Sequence, residues 1–387
     1  MSTAVSTRRV RRTLVAAGLA AALCVPLVVS AWDDGDGQPP ADDPALLDAE
    51  PMPLAARSLL LSATDTGSGL VAVGERGHVL LSVDGREWRQ AGSVPTRSTL
   101  TAVSAADGLL WAVGHDGVII HSADGGESWE RQRVAPWTVG SFDPEAGVPL
   151  LDVVFFDAAH GIAVGAFSLM LETFDGGASW QAQFLSELVG GEDELAFAEV
   201  DGAVADPDDF IDDDDDDDWG FSADDLMLDA EDDPHLNAIA RTGTGALLVA
   251  GERGALFRSR DGESWERLAL PYEGSMFGVL AWEDEHVMVF GLRGNVFESF
   301  DLGESWQALD SGTESSLMGG VALPGGGALL VGNEGRMVHR AATGEPFRRL
   351  THTTDDGETP VLSTAWPIDG GFLLLGARGV DHTGELD

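Results

Sequence analysis

Val71-Ala72-Val73-Gly74-Glu75-Arg76-Gly77 is followed, after four residues, by Ser82-Val83-Asp84-Gly85-Arg86-Glu87-Trp88. An apolar run ends in Gly-x-x-Gly, and a second short run ends in Ser-x-Asp-Gly with a Trp behind it. Short β-branched runs punctuated by Gly and Asp-Gly read as antiparallel strands joined by tight hairpins. The Asp side chain can hold its turn by accepting backbone N–H groups, while the Trp packs between sheets.

The pattern repeats. Its first element returns at Gly114, Gly251, Gly291, Gly332 and Gly376, with a degenerate copy at Ala163-Val164-Gly165; the successive spacings are 40, 51, 86, 40, 41 and 44 residues. The second element returns around Asp124 and Trp129, Asp175 and Trp180, Asp261 and Trp265, and Asp301 and Trp306, with a worn copy at Ala342-Thr343-Gly344-Glu345-Pro346-Phe347. A third element, such as Leu100-Thr101-Ala102-Val103, precedes each pair. Four short strands in about 40 residues make a propeller blade, which buries its faces only by stacking on its neighbours. The expected fold is all-β, a seven-bladed β-propeller. The seventh unit is short, so the expected closure pairs N- and C-terminal strands: the front of Ala45–Leu61 as outer strand of the last blade, and Ser58–Ser62 as inner strand of the first.

Composition narrows function. The 387 residues carry 66 acidic and 22 basic side chains, every basic one an Arg, for a net charge of -44. Such a chain repels phosphates, which argues against nucleic acid and anionic membrane surfaces as partners. Arg8, Arg9, Arg11 and Arg12 precede an apolar run from Thr13 to Val29, and Val29-Ser30-Ala31 offers small residues for cleavage. Residues 1–31 are therefore expected to be a signal peptide, with an uncleaved N-terminal anchor as the alternative and the only membrane contact. A twin-arginine signal at Arg8-Arg9 and lipidation of Cys24 fit poorly. Cys24 is the single cysteine, so the fold uses neither disulfides nor thiolate chemistry. An acidic linker over 32–44 and the propeller over 45–387 complete the expected organisation, for an exported monomer in the periplasm or outside the cell.

The order Gly-x-x-Gly, then Ser-x-Asp-Gly-Gly-x-Ser-Trp, over residues 45 to 380 resembles the Asp-box (bacterial neuraminidase) repeat of the photosystem II stability/assembly factor family. That resemblance implies a seven-bladed propeller on the lumenal or periplasmic side. It implies a non-catalytic scaffold that assists assembly or stability of a membrane complex by binding a protein subunit. Relatives in non-photosynthetic bacteria are in some cases linked to membrane transporters. This chain departs from the family in its acidic insertion and its extreme charge.

Asp-boxes also occur in glycosidases, so a carbohydrate-binding or glycoside-hydrolysing propeller is the alternative. Sialidase chemistry needs a Tyr nucleophile with a Glu beside it. The one Tyr here, Tyr272, stands in a Leu-Pro-Tyr-Glu loop between units. Asp84, Asp124, Asp175, Asp261 and Asp301 read as turn-formers, and no catalytic residue is assigned. The nine histidines show no metal-ligand spacing, and no phosphate-binding loop leads into a helix. No cofactor is expected, apart from a divalent cation at the insertion described next.

Two features stand outside the repeat. From Glu192 to Asp233, within an insertion at about 190–234, there are 21 acidic residues and no basic one, with Asp212 to Asp218 consecutive. This stretch reads as a solvated loop, as a loose Ca²⁺ site at Asp212, Asp214, Asp216 and Asp218, or as an acidic interaction segment with aromatic anchors. The second feature is Arg placement. In a propeller the Gly-x-x-Gly hairpins and the interblade loops share one face. Arg76, Arg253, Arg293 and Arg378 belong on that face, with Arg336 close by. It is the expected partner-binding face, with the acidic loop competing for it.

Overall fold

In a computed structural model, residues 39, 42–139, 141–190 and 233–386 are described. Seven sheets follow one another along the chain. Blade 1 comprises Leu60–Asp65, Leu70–Gly74, Val79–Ser82 and Arg89–Gln90. Blade 2 comprises Leu100–Ala106, Leu109–Gly114, Ile119–Ser122 and Glu130–Arg133. Blade 3 is Leu150–Phe155, Gly161–Gly165, Leu169–Thr173 and Gln181–Phe184, followed by a short helix, Leu185–Gly190. Blade 4 is Leu236–Arg241, Leu247–Gly251, Leu256–Ser259 and Trp265–Arg267. Blade 5 is Met276–Ala281, Val287–Gly291, Val296–Ser299 and Gln307–Leu309. Blade 6 is Leu317–Leu323, Gly327–Gly332, Arg336–Arg340 and Arg348–Thr351. Blade 7 has three strands, Leu362–Ile368, Gly371–Gly376 and Gly379–Gly384. Every sheet is an antiparallel meander in chain order.

The first strands of successive blades touch around the axis, and that of blade 7 touches that of blade 1, so the ring is closed. The protein is an all-β seven-bladed propeller. A sheet sandwiched between two others buries both faces, and the second strands of blades 1, 3, 4, 5 and 6 are buried along their whole length. Seven apolar clusters fill the seven interblade spaces; the one between blades 1 and 2, for example, joins Val71, Val73 and Leu81 to Leu100, Leu110 and Ile120.

The two glycines of Gly-x-x-Gly do different jobs. In blade 1 the second, Gly77, has φ 67°, and the residue before it, Arg76, φ 56°, which is a type I′ turn. The first, Gly74, is extended at φ -172° and needs no left-handed freedom. A Cβ there would stand 2.0 Å from the Leu59 carbonyl oxygen, which accepts the Glu75 N–H at 3.1 Å. The first strand bulges at this point, between Leu60 and Ser62, and the same bulge recurs in every blade.

The expected pairing of N- and C-terminal strands does not form among the described residues. Pro44–Leu46 and Ala55–Arg57 are 3₁₀ turns, and no strand precedes Leu60. Pro44, Pro51 and Pro53 remove the donors a fourth strand would need. Instead Met52, Ala55 and Ala56 pack with Leu60 against Leu373, Leu375 and Val380 of blade 7. Backbone bonds from Ala49 to Val94 and from Arg97 to Pro44 staple this segment along blade 1. The seam between blades 7 and 1 is therefore apolar packing without a shared strand, supplemented by Arg86 donating to Asp369 O at 2.8 Å and by His382 Nε2 at 2.7 Å from Gly85 O. The expected inner strand of blade 1 is present, as Leu60–Asp65.

Candidate functional site

The strand 2–3 turns and the interblade loops share one face. Each turn presents one apex residue to solvent. Arg76, Arg253 and Arg293 hold this position in blades 1, 4 and 5 with φ of 56°, 53° and 57°, and all three are exposed. Asp116 and Glu334 take it in blades 2 and 6, also with positive φ, and Phe167 lies at the corresponding turn of blade 3. The ring is thus a mixture, with Arg in pairs at blades 4–5 and 7–1. The guanidinium groups of Arg76 and Arg293 make no hydrogen bond or ion pair among the described residues. Arg378 lies in the turn of blade 7 and pairs with Asp356 at 2.8 Å and Glu358 at 3.1 Å. Arg336 is not an apex residue: it begins the third strand of blade 6 and donates to Thr351 Oγ1 at 2.9 Å. With Arg349, Asp310, Glu314 and Glu334 it lines an open polar cleft of about 810 Å³ between blades 5 and 6.

Sequence reasoning missed part of this face. The loop from blade 2 to blade 3 exposes Trp137, Val139 and Phe142, the last to 99%. It is anchored beside the blade 2 turn by Ala135 N–H to Asp116 O at 2.8 Å and by an Arg133–Glu145 ion pair at 2.5 Å. Phe167, at the blade 3 turn, is also half-exposed. Two bulky aromatics in a Pro- and Gly-rich insertion carried the signal: the 51-residue spacing between Gly114 and Gly165 already marked it.

The opposite face carries the Asp-boxes. Asp124 Oδ1 accepts Ser122 Oγ at 2.8 Å and Ser128 N–H at 3.0 Å, and Oδ2 accepts Ser128 Oγ. Asp175 and Asp301 repeat this pattern, and Asp84 and Asp261 accept two N–H groups of a shorter loop. Bonds from Ser305 and Ser299 hold the Asp301 carboxyl down at about 2, and bonds from the Ser264 and Glu263 amides do the same for Asp261. Each carboxylate is committed to its own hairpin. Trp88 and Trp129 donate their indole N–H to Gly85 and Gly126 within the same boxes. Trp180, Trp265 and Trp306 pack at the edges of interblade clusters.

Tyr272 is a packing residue at the blade 4–5 seam, its ring 5.9 Å from that of Phe297 and its hydroxyl 3.4 Å from Leu292 O. The fold pairs histidines with carboxylates that no spacing rule revealed: His160 with Glu172 at 2.8 Å and His286 with Glu298 at 2.7 Å. Arg340 completes the second pair. Burial alone would push the Glu298 carboxyl up, but the His286 and Arg340 bonds outweigh it and hold the group below its usual range. On the inner strand of blade 3, Asp152 accepts the N–H groups of Val153 at 2.8 Å and Ile239 at 2.9 Å, and burial pushes its carboxyl up to about 6. Among the described residues no cluster of three His, Cys, Asp or Glu could hold a metal ion. The candidate Ca²⁺ ligands Asp212, Asp214, Asp216 and Asp218 lie outside the described residues, as does the acidic segment that contains them.

This fold and these hairpins define an Asp-box seven-bladed propeller. Within that class, part of the chain is similar in sequence to the Ycf48 assembly factors. Residues 132–212 match the family described as photosynthesis system II assembly factor YCF48. A curated relative, the photosystem II assembly lipoprotein Ycf48 of Synechococcus sp. (strain CC9902), is 29% identical over 178 residues, or 44% of this chain and 51% of the relative. The match thus spans about half the length of that protein. A solved structure described as YCF48 bound to D1 peptide superposes with a TM-score of 0.58 at 15% identity, covering 89% of this chain and all of that one. YCF48 from Cyanidioschyzon merolae gives 0.56 at 16% identity over 85% of this chain and 96% of that one. The WD40 propeller domain of Doa1 gives 0.57 at 11% identity over 89% and 97%. At these identities the structural likeness speaks for the fold.

Proposed function

We propose that this chain is an exported, non-catalytic scaffold that assists assembly or stability of a membrane-associated envelope complex by binding a segment of one of its protein subunits. The single observation that carries the reading is the set of exposed apex arginines, Arg76, Arg253 and Arg293, on one face of a chain whose net charge is -44. A guanidinium fork recognises carboxylates in a fixed geometry, so the partner segment offers acidic groups there. The neighbouring Trp137, Val139 and Phe142 ask it for apolar side chains as well. Support comes from the relatives: one is named an assembly lipoprotein, and another is described with a bound peptide. The Asp-boxes hold their own loops, which leaves them no reacting group to offer.

Affinity purification from detergent-solubilised membranes tests this. The wild-type chain should retain a membrane-complex subunit, and the variant Arg253→Glu/Arg293→Glu should lose it while keeping the native denaturation midpoint. Unchanged recovery of every partner by that folded variant would overturn the proposal.

A further inference from the structure

Blades 3 and 5 carry the same side-chain device at the Asp-box face. In both, a Glu stands just before the box Ser or Thr and accepts a His twelve residues earlier, as Glu172 with His160 and Glu298 with His286. In both, aromatics flank the imidazole. Phe156 lies 4.5 Å and Phe174 4.6 Å from His160, and Trp282 lies 4.0 Å and Phe300 4.5 Å from His286. The difference is what the following blade contributes. Blade 6 has a worn box, and Arg340 replaces its Ser. That guanidinium reaches back to Glu298, with Nη2 2.5 Å from Oε1 and Nη1 3.1 Å from Oε2, and its carbon lies 5.4 Å from the Phe347 ring. Blade 4 keeps its box, so the same position is Ser259, bonded to Asp261 and Gly262 of its own loop. Arg258 beside it turns away, to Glu266, Glu304 and Leu302 O.

Glu172 is therefore left without the cation that Glu298 has. Its side chain is 10% exposed, and among the described residues only Oε1 is engaged. Where a guanidinium would lie, a cleft of about 450 Å³ opens, lined by His160, Glu172 and Phe174 from blade 3 and by Asp261, Glu263 and Trp265 from blade 4. A nearly buried carboxylate with an unused oxygen, flanked by further carboxylates, favours a cation brought from outside. Phe174, 58% exposed, offers a ring face for the same group. The geometry points to the blade 3–4 cleft as a receptor for an arginine side chain of a partner polypeptide, held by Glu172 as Arg340 is held by Glu298, with Phe174 beside it and with Trp265 of blade 4 at the position that Phe347 takes in blade 6. This site lies on the face opposite the apex arginines and stands independently of the partner proposed for them.

The test is calorimetric titration of the full chain with the peptide acetyl-Gly-Arg-Gly-amide and with its citrulline counterpart, which keeps the shape and loses the charge. The arginine peptide should bind, and the citrulline peptide at least about tenfold more weakly, as expected for loss of charge-assisted bonds. Ser259→Arg supplies the guanidinium internally and should block the peptide. Glu172→Gln and Phe174→Ala should each weaken it, Glu172→Gln by about tenfold, and Glu314→Gln on the other face should leave it unchanged. Free arginine amide binding as tightly as the peptide would make the receptor one for a small cation and overturn the polypeptide assignment. Equal binding of the citrulline peptide overturns the site itself, as does wild-type affinity in folded Ser259→Arg and Phe174→Ala, or no binding at millimolar peptide.

Discussion

Replacing Arg340 by Met should be among the most damaging single changes in this protein. The side chains of Arg340 and Glu298 are 1% and 3% exposed, so the pair is isolated from water. Arg340→Met removes two bonds to Glu298 and one to the Gly326 carbonyl, and leaves a buried carboxylate with His286 alone. Breaking a buried pair by deleting one partner costs about 3–5 kcal/mol, because the surviving charge stays desolvated. In a urea titration with a slope near 3 kcal/mol/M, the midpoint should fall by about 1–1.7 M. Volume cannot be the cause, since Met fills much of the arginine stem. The decisive comparison is Arg340→Met with Glu298→Gln. A neutral amide still accepts from His286 and no longer strands a charge, so the double variant should recover more than half of the loss. A single-variant cost below about 1 kcal/mol, or a double variant as unstable as the single one, would refute the reasoning.

Gly74→Ala should cost about 2–3 kcal/mol, because its Cβ would meet the Leu59 carbonyl at 2.0 Å; Gly108→Ala, where nothing lies within 4 Å but φ is 80°, should cost only about 1 kcal/mol by the same denaturation measurement. Acid unfolding should set in between about pH 4 and pH 2: Asp261 and Asp301 have carboxyls held at about 2, below the unfolded value near 3.9, so their contribution is full above pH 4 and is lost as pH falls through that window. Asp301→Asn should flatten this slope when tryptophan fluorescence is followed against pH. Asp152 has the opposite sign: its carboxyl is raised to about 6, so the fold holds a proton that the unfolded chain has lost, and stability falls as pH rises from about 4 to 6. The stability difference between Asp152→Asn and the native chain should accordingly move in the variant's favour by about 2 kcal/mol between pH 4 and pH 8.

How much of this was legible in the sequence follows from what a repeat encodes. Gly74 and its six counterparts, with Asp84, Asp124, Asp175, Asp261 and Asp301, are local devices. Each acts within one hairpin or one blade, so its residue type betrays it, and blade number, hairpins and the Arg-bearing turns could all be read directly. The seam between blades 7 and 1 was misjudged, because counting strands assumed a fourth partner that Pro44, Pro51 and Pro53 cannot provide. The His160–Glu172 and His286–Glu298 pairs were invisible, since a separation of twelve residues brings two side chains together only through the register of a particular hairpin. Arg340 was hidden for a further reason: its partner belongs to another blade, and nothing along the chain marks which blade surfaces face each other at a given depth.

Position-by-position comparison of blades therefore locates function better than the repeat itself. Where all seven units agree, as at the first glycine pressed on the carbonyl that precedes its own blade's first strand, the shared cause is the bulge built into every blade, and no partner need be invoked. Where they disagree, the blade is satisfied by several residues and something else has chosen among them. The turn apex is Arg, Asp, Phe, Arg, Arg and Glu in blades 1 to 6, although each of these residues takes the same left-handed conformation. The box serine is replaced by Arg340 in one blade and kept as Ser259 in another, with the facing Glu present in both cases. A fold that only needed stability would tend to the same solution at each. The uneven positions lie at the two ends of the sheets, the turn apices mostly in solvent and the box serine position buried between blades, and the even ones lie inside the wheel. That division leaves the two ends of the sheets free to vary on a rigid interior.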